Sequence, residues 1–325
     1  MGFKARMNIL ITGGLGYIGG RLSNYLKEKR PDTRIFLTTV NKNRKLPSWT
    51  EKFTIVQMDL LNEDSVSDCL NNKNIDIIIH LAALNEIESM KSPELALEVN
   101  TKGTYKLLKL ANINHINKFI YFSTFHVYGG TSSPIITEET PTKPFHPYAI
   151  THRAAEDFVN YFRHYQNMKT VIFRLSNGYG YPMDKDVNRW TLVFNDLCKQ
   201  VITTGKIVLK SSGKQHRDFI SLNNIARAVY HFIFVIPDSW EKDFYNLGGN
   251  CSWSVLDVAQ KIADVYKSKY KKDILKIEIQ KDNSSDAFQP IKYSIERLEK
   301  TGFRLEDNIN YEIEKTMELC EEFLT

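Results

Sequence analysis

The sequence has few cysteines and no long apolar run, and both absences limit what the protein can be. Its 325 residues include only four cysteines, which lie far apart at Cys69, Cys198, Cys251 and Cys320. They form neither a CxxC metal or redox site nor a disulfide framework, so we expect no bound metal and a reducing, cytoplasmic location. No apolar stretch approaches the roughly 18 residues of a membrane span. The run Ile9-Leu10-Ile11 is too short for a signal-peptide core, so no membrane association is predicted.

Charge of one sign is not concentrated either. The formal net charge is +5, from 43 Lys and Arg against 38 Asp and Glu, and the two signs are interspersed. No basic run with interleaved aromatic residues occurs, so nucleic acid is not an expected partner. The small positive surplus favours the approach of anionic substrates.

The first half of the chain alternates short apolar runs with amphipathic stretches. Strands are predicted at residues 8–12, 35–37, 54–56, 75–79, 119–122 and 171–173. Continuous apolar strands separated by helices predict a doubly wound parallel α/β sheet covered on both faces, at residues 1–178. Beyond it, strands at 219–220 and 244–247 and helices at 190–200, 255–266 and 309–323 are predicted. Residues 179–325 are thus expected to form mainly a smaller mixed α/β lobe, with residues 216–247 completing the first domain.

The first strand runs into a glycine-rich segment, Thr12-Gly13-Gly14-Leu15-Gly16-Tyr17-Ile18-Gly19. Glycines in a GxxGxxG spacing between a strand and a helix let the backbone turn tightly and approach a pyrophosphate. The pyrophosphate then lies on the N–H groups that open the helix. The segment predicts a Rossmann-type dinucleotide site that includes Gly13, Gly16, Tyr17, Ile18 and Gly19. The alternative is a tight turn that binds no ligand.

The end of the second predicted strand lacks the acidic residue that usually binds a free ribose 2′-hydroxyl. It carries Thr39 and Asn41, followed by Lys42, Arg44 and Lys45. Cations attract a 2′-phosphate, so the pattern predicts NADP(H) in preference to NAD(H). Thr39, Asn41 and Arg44 are the candidate contacts, and NAD(H) is the alternative if the basic residues only line a solvated loop.

Further motifs follow in a fixed order. They are Asp59-Leu60, His80-Leu81-Ala82-Ala83, Val99-Asn100-Thr101-Lys102-Gly103-Thr104, Phe122-Ser123-Thr124, Val127-Tyr128-Gly129, Pro147-Tyr148, Arg174-Leu175-Ser176-Asn177-Gly178-Tyr179-Gly180 and Arg217-Asp218-Phe219-Ile220. With the glycine loop, they resemble the extended short-chain dehydrogenase/reductase family of NAD(P)-dependent nucleotide-sugar epimerases and dehydratases nearly end to end.

This resemblance implies a role for each motif. The implied cofactor contacts are Asp59 and Leu60 at the adenine, then Leu81, Ala82, Ala83 and Asn100. The second lobe would bind the nucleotide-diphosphate sugar, and arginine suits that task because its planar fork binds phosphate oxygens in pairs. The candidate substrate contacts are Asn177 and Arg217 at the diphosphate, with Ser123 and Asn195. A homodimer through two long helices, near Pro93–Ala111 and Tyr148–Tyr165, is also implied.

The resemblance implies a catalytic pair, Thr124 and Tyr148, that acts on one substrate hydroxyl while a hydride moves to or from the nicotinamide. In the family, a lysine four positions after the tyrosine places a positive charge near the phenolate and bonds the nicotinamide ribose. Here that position holds His152, on the same helical face as Tyr148. A free tyrosine has a pKa near 10 and a free histidine one near 6.5, so the ring is mostly neutral at pH 7 and supports a phenolate less than a cation does.

Three hypotheses follow. In the first, His152 replaces the lysine in an active enzyme, and its ring binds the cofactor. Alternatively, Arg153 or another cation supplies the charge. In the third, the chain binds cofactor and nucleotide sugar with little redox turnover.

The residues after Thr124 narrow the reaction. Relatives that remove water across carbons 4, 5 and 6 have Asp-Glu there, whereas this chain has Phe125-His126. Phe125 transfers no proton. His126 can act as a general acid or base, but a substrate contact or a packed ring is an equal alternative. A 4,6-dehydratase is therefore not expected, and we predict reduction of a 4-keto sugar, with a 4-epimerase that retains its cofactor as the alternative.

Overall fold

The structure is a computed structural model that describes residues 7–41, 43, 45–130, 133–272, 276–279, 290 and 292–324. Its strands are β1 (Asn8–Thr12), β2 (Arg34–Thr39), β3 (Thr54–Gln57), β4 (Ile77–His80), β5 (Lys118–Thr124), β6 (Ile135–Ile136), β7 (Lys169–Leu175), β8 (Asn177–Tyr179), β9 (Ile207–Leu209), β10 (His216–Arg217), β11 (Phe219–Ser221), β12 (Phe244–Leu247), β13 (Trp253–Ser254), β14 (Ile277–Ile279) and β15 (Lys292–Tyr293). Its α-helices are α1 (Tyr17–Lys29), α2 (Glu63–Leu70), α3 (Glu86–Lys91), α4 (Pro93–Ala96), α5 (Thr104–Ile113), α6 (Pro147–Tyr165), α7 (Val193–Thr204), α8 (Leu222–Tyr230), α9 (Val255–Tyr270), α10 (Glu296–Glu299) and α11 (Ile309–Glu321).

The central sheet has seven strands in the order β12-β7-β5-β4-β1-β2-β3. Every pairing from β7 across to β3 is parallel. Leu10 of β1 lies opposite Phe36 of β2 on one side and Ile78 of β4 on the other, and all three side chains are buried. A parallel sheet is covered on both faces, which explains why its strands read as continuous apolar runs. The predicted doubly wound α/β fold is confirmed.

The chain divides into two compact units. Unit 1 comprises Met1–Thr131, Thr140–Leu175 and Val229–Tyr245, and unit 2 comprises Ser132–Glu139, Ser176–Ala228 and Asn246–Thr325. The predicted boundary at residue 178 lies close to the end of β7. The chain leaves unit 1 there because β8 pairs with β11 and not with the central sheet. The later segment that belongs to unit 1, Val229–Tyr245, is also shorter than the predicted segment, residues 216–247.

The long helix expected near Pro93–Ala111 is not one continuous α-helix. Pro93 occupies the first turn of α4, but the Ser92 side chain makes no capping hydrogen bond. The backbone then passes through a π-helical segment, Leu97–Gly103, before α5 begins. Such segments are rare and often occur at functional sites, and this one contains Asn100.

Unit 2 has its own core, in which α7, α9 and α11 pack together. Leu197, Val258, Ile262 and Met317 are buried in it. All four cysteines of the chain are free thiols. Over the ranges that the structure describes, no helix has both the length and the apolar character needed to cross a bilayer.

Candidate active site

The glycine loop after β1 has a shape that only glycine permits. Gly13 has a φ of +66°, and a Cβ on it would lie 3.0 Å from the backbone nitrogen of Ala82. A Cβ on Gly19 would overlap the carbonyl oxygen of Gly13. These glycines bring β1, the turn after β4 and the start of α1 together, so the backbone forms a cradle that side chains would fill.

The N-terminus of α1 is open to an anion. Its N-cap is Gly16, which is exposed and offers no side-chain cap, and the first turn contains no acidic residue. Tyr17 is buried and Ile18 is half-buried behind it. Unsatisfied N–H groups and the helix dipole favour a phosphate at such an end. The glycine cradle and this helix end fit the pyrophosphate of a dinucleotide.

The residues predicted at the adenosine end take several roles. Thr39 Oγ1 donates to the carbonyl oxygen of Asn41 at 3.2 Å, which closes a turn after β2. Asp59 Oδ1 accepts from the backbone N–H of Leu61 at 2.9 Å. Leu60 is buried. Arg44, the predicted phosphate contact, lies outside the described residues, so the NADP(H) preference stays a prediction.

A buried chain of hydrogen bonds fixes the turn after β4. The backbone N–H groups of Leu81 and Ala82 both donate to Thr12 Oγ1 at 3.1 Å. Thr12 Oγ1 is 2.6 Å from His80 Nδ1, and His80 Nε2 is 3.0 Å from Thr104 Oγ1. Burial lowers the pKa of His80 to about 3. The ring is therefore neutral, and the sequence had not identified it as a structural link between β1, β4 and α5.

Asn100 joins this turn to the helix that carries Tyr148. Its Oδ1 accepts from the backbone N–H of Leu84 at 2.8 Å, and its Nδ2 donates to Thr151 Oγ1 at 3.1 Å. Thr151 lies in α6, between Tyr148 and His152. These contacts give Asn100 a positioning role, and a direct contact with the cofactor stays a prediction.

Three histidine rings lie around Tyr148. His152, one turn later in α6, has its ring centroid 4.5 Å from that of Tyr148, at an interplanar angle of 70°. His126 lies 6.1 Å away edge-on, and His146 lies 6.2 Å away in a parallel plane. His146 is the N-cap of α6, where its Nδ1 accepts from the backbone N–H of Ala149. The sequence analysis missed His146; its place directly before Pro147, at the start of a predicted helix, was the available signal.

His152 is buried and neutral. Only 3% of its surface is exposed, and its Nδ1 lies 2.8 Å from the hydroxyl oxygen of Tyr121 on β5. Burial, with a smaller effect of His126, lowers the pKa of His152 to about 3. Within the described part of the chain, its Nε2 is buried and has no hydrogen-bond partner. A buried ring nitrogen without a partner fits a ligand group that bonds it, such as a ribose hydroxyl.

Thr124 and its neighbours lie at the carboxyl end of β5. Thr124 Oγ1 accepts from the backbone N–H of His126 at 3.2 Å and caps the short turn that follows. The Oγ of Ser123 is buried, with no partner among the described residues. His126 Nε2 is 4.0 Å from Glu86 Oε2, and its side chain is 30% exposed. The structure therefore brings Thr124, His126, Tyr148 and His152 together in unit 1.

The cations nearest in sequence to the site are paired elsewhere. Arg153 donates to Thr142 Oγ1 at 3.1 Å and also bonds Asp157. Arg174 of β7 makes a two-bond pair with Glu156 of α6, at 3.0 and 2.7 Å, and both side chains are buried. The hypothesis that Arg153 supplies the missing charge has no support in these contacts.

The predicted substrate residues of unit 2 differ in exposure. Arg217 is exposed on β10, whereas Asp218 is buried and accepts from the backbone N–H groups of Gly249 and Cys251. Asn177 Nδ2 donates to the carbonyl oxygen of Asp218 at 2.9 Å. Asn195 is fully buried and donates to the carbonyl oxygen of Arg189. Arg217 thus faces solvent, while the amides of Asn177 and Asn195 hold the backbone of unit 2.

Known proteins share both the sequence pattern and the fold. The chain is 29% identical to human dTDP-D-glucose 4,6-dehydratase over 277 residues, which cover 82% of this chain and 75% of the human protein. The structure of UDP-N-acetylglucosamine 4-epimerase from Methanobrevibacter ruminantium in complex with UDP-N-acetylmuramic acid superposes with a TM-score of 0.82, at 24% identity, over 98% of this chain and 99% of that one. RMD from Pseudomonas aeruginosa, complexed with NADPH, gives a TM-score of 0.79 at 22% identity, over 98% and 99% of the two chains.

At identities below 25%, these structural similarities establish the fold alone. The sequence match is more specific, because a family model covers residues 9–248, from β1 to the segment just after β12. That range includes the glycine cradle, Thr124, Tyr148 and His152. The chain belongs to the NAD dependent epimerase/dehydratase family.

Proposed function

We propose that this protein reduces a 4-keto nucleotide-diphosphate sugar with NADPH, and that Tyr148 donates the proton. The observation that carries the proposal is the neutral, buried ring of His152, 4.5 Å from the ring of Tyr148. A fixed cation there would stabilise a phenolate, whereas a neutral ring leaves the tyrosine protonated at neutral pH. A protonated tyrosine is ready to donate, which is what reduction of a carbonyl requires.

The chain offers a place for each part of the cofactor. The glycine cradle and the open end of α1 would hold the pyrophosphate, and His152 Nε2 would bond the nicotinamide ribose. When bound, a reduced nicotinamide supplies a hydride to the carbonyl carbon. The absence of a carboxylate at the end of β2 supports NADP(H), and parallel titrations with both cofactors test that preference. Equal or tighter binding of NAD(H) would contradict it.

Thr124 and Tyr148 would act on the substrate oxygen. Thr124 Oγ1 accepts from the His126 backbone N–H, which leaves its hydroxyl proton for a bond to that oxygen. General acid catalysis by a positioned side chain contributes about 10²- to 10⁴-fold. Tyr148, on the first turn of α6, is the proton donor in this scheme. Asn177 and Arg217 stay predicted contacts of the substrate diphosphate.

An epimerase makes a different demand on Tyr148. Its first half-reaction oxidises the sugar, so the tyrosine must begin as a base, and a neutral His152 supports that state poorly. A purified protein that retains its cofactor through size exclusion would favour the epimerase. A cofactor that dissociates freely would favour the reductase.

Dehydration is a second candidate, because the human relative at 29% identity is a 4,6-dehydratase. In this chain the acid or base for that reaction would be His126, which lies beside Tyr148 and faces Glu86. Its position directly follows Phe125, which transfers no proton. Formation of a 4-keto-6-deoxy product from a nucleotide hexose, lost in His126→Gln, would establish this candidate in place of the reductase.

The deciding experiment follows oxidation of NADPH with a panel of nucleotide 4-keto sugars. We expect turnover with at least one of them, and a fall of about 100-fold or more in Tyr148→Phe. The matched control is Tyr165→Phe, an exposed tyrosine at the end of the same helix, which is expected to retain wild-type activity. Absence of turnover with every sugar in the wild-type protein would favour a binding protein without redox function.

We also propose that the protein forms a homodimer through the surfaces of α5 and α6. Exposed apolar side chains concentrate there, namely Leu97, Tyr105, Phe158 and Tyr161. The Tyr105 ring packs on Phe158 in a tilted arrangement, with centroids 5.0 Å apart, which joins the two helices into one apolar face. Light scattering is expected to give a dimer that Phe158→Asp dissociates, whereas Ile279→Asp, at an exposed apolar position of unit 2, does not. A monomeric wild-type protein would contradict the proposal.

A further inference from the structure

We propose that Tyr121 is a positioning residue that holds the His152 ring in a single tautomer, with its proton on Nε2. The neutral ring thereby presents a hydrogen-bond donor, and not a lone pair, to the cofactor ribose. The proposal rests on the proposed function, because the ribose of the bound cofactor is the acceptor of that proton. Tyr121 acts through His152 and would touch neither the substrate nor the cofactor.

The contact on which this depends is buried on both sides. Tyr121 and His152 are 2% and 3% exposed, and the Tyr121 hydroxyl oxygen lies 2.8 Å from His152 Nδ1. The Tyr121 ring is held between two imidazoles, with centroids 5.8 Å from His80 and 5.9 Å from His152. Across the described ranges, the Tyr121 hydroxyl makes no other hydrogen bond.

The direction of this hydrogen bond decides the tautomer. Burial raises the pKa of Tyr121 well above its ordinary value, so the phenol keeps its proton, and burial keeps the His152 ring neutral with one proton of its own. If Nδ1 donated to Tyr121, the phenolic proton would be buried without an acceptor. If the phenol donates to Nδ1, that proton is satisfied, and the ring proton lies on Nε2. In that arrangement the remaining donor is Nε2–H, which has no partner among the described residues and which a ribose oxygen can accept, whereas in the first arrangement no described group accepts the phenolic proton. Unsatisfied buried donors are costly, so the second arrangement is favoured when the cofactor is bound.

The consequence reaches the site beside Tyr148. Nε2, the ring nitrogen of His152 that does not contact Tyr121, then carries the proton. It is therefore a hydrogen-bond donor. By its resemblance to the family, a lysine at this position would donate to the nicotinamide ribose. A fixed N–H supplies that hydrogen bond without the lysine charge. A mixture of tautomers would supply it only part of the time.

The tautomer can be measured directly in the protein with NADPH bound. Histidine labelled with ¹⁵N distinguishes a protonated from an unprotonated ring nitrogen, and the His152→Gln spectrum assigns the signals of this ring. We expect a protonated Nε2 and an unprotonated, hydrogen-bonded Nδ1 in the wild-type protein, and a changed population or shift in Tyr121→Phe. A proton on Nδ1 in the wild-type protein would overturn the proposal and leave the proposed function untouched.

A double-mutant cycle on cofactor affinity separates positioning from a structural effect. Tyr121→Phe is expected to raise the Kd for NADPH about fivefold to tenfold, the value of one hydrogen bond. In the His152→Lys background, the same substitution should change Kd less than about twofold, because lysine donates without a tautomer. Equal losses in both backgrounds would refute the positioning role. A wild-type tautomer as expected with no activity toward any keto sugar would instead count against the proposed function.

Discussion

His152 makes the stability of unit 1 sensitive to acid, and a single substitution tests this. The pKa of its ring is lowered from 6.5 in the unfolded chain to about 3 in the folded protein. As the pH falls below 6.5, the unfolded chain binds a proton that the folded protein does not. The stability contributed by the neutral ring is therefore complete above pH 6.5 and is lost as the pH falls toward 3. The substitution that removes this titration while keeping a polar side chain is His152→Gln.

The magnitude follows from the width of that window. Each pH unit is worth about 1.36 kcal/mol, so two units below the unfolded value give a loss of about 2.7 kcal/mol at roughly pH 4.5. At that pH the folded ring is still neutral, so the full difference is expressed. His80 has a similarly lowered pKa, and Asp218, whose pKa is raised to about 6, acts in the opposite direction. The substitution leaves Asp218 unchanged, so its contribution cancels in the comparison. The pKa of His80 is lowered mainly by burial and to a smaller extent by the His152 ring, so its contribution cancels for the most part.

Urea unfolding of both proteins at about pH 8 and pH 4.5 measures the effect, with fluorescence and circular dichroism required to give coincident transitions. The wild-type protein should lose about 2.7 kcal/mol more than His152→Gln between the two conditions. The matched control is His164→Gln, also in α6, whose side chain is 58% exposed with its Nε2 3.5 Å from Asp243 Oδ2, and which lacks the burial of His152. A difference between the wild-type protein and His152→Gln that does not vary with pH would mean that the folded ring binds a proton in acid as readily as the unfolded chain does, and it would contradict a lowered pKa of His152.

Three further outcomes are expected. His152→Lys should lower the apparent pKa of the pH profile of kcat/KM by about two units, because a charge about 4.5 Å from the Tyr148 ring contributes roughly 3–4 kcal/mol before its own desolvation; an unchanged profile would exclude a charge effect. Glu156→Gln should lower the free energy of unfolding by about 3–5 kcal/mol, since it removes the carboxylate that balances the buried charge of Arg174, and urea titration measures this. Gly19→Ala should raise the Kd for NADPH more than tenfold, because the new Cβ displaces the glycine cradle; tight binding by a folded variant would contradict the cradle.

The sequence predicts the central fold well because the signals are local. Continuous apolar runs such as Ile9-Leu10-Ile11 coincide with β1, and the predicted strands in the first half all lie in or overlap strands of the sheet. Glycine spacing identifies the cradle for the same reason, since the turn requires particular residues at fixed positions. Helix starts are less exact: α7 begins at Val193 and not at 190, because the backbone of its N-cap, Leu192, is extended.

The contacts that define the site could not be predicted in this way. Tyr121 and His152 are distant in sequence, and their pairing depends on how α6 packs on β5. Within the apolar sequence of β5, nothing marks Tyr121 as the hydrogen-bond partner of a residue in α6. His80 likewise occurs in a recognised motif, but its two hydrogen bonds require β1 and α5 to be in place. Tertiary packing, and not local propensity, determines these side-chain roles.

The charges around α6 point to a site that works with neutral groups. Arg174 is neutralised by Glu156 and Arg153 bonds Asp157, so these two cations are held in ion pairs within unit 1. His152 is neutral because it is buried, and the proposed tautomer depends on a hydrogen bond and not on a charge. Simple decay of a lysine-dependent site would leave an unsupported ring, whereas this ring is packed and bonded on one side. The arrangement therefore supports the proposed reductase, in which Tyr148 donates a proton to a carbonyl, more than a reaction that begins with proton abstraction from an alcohol.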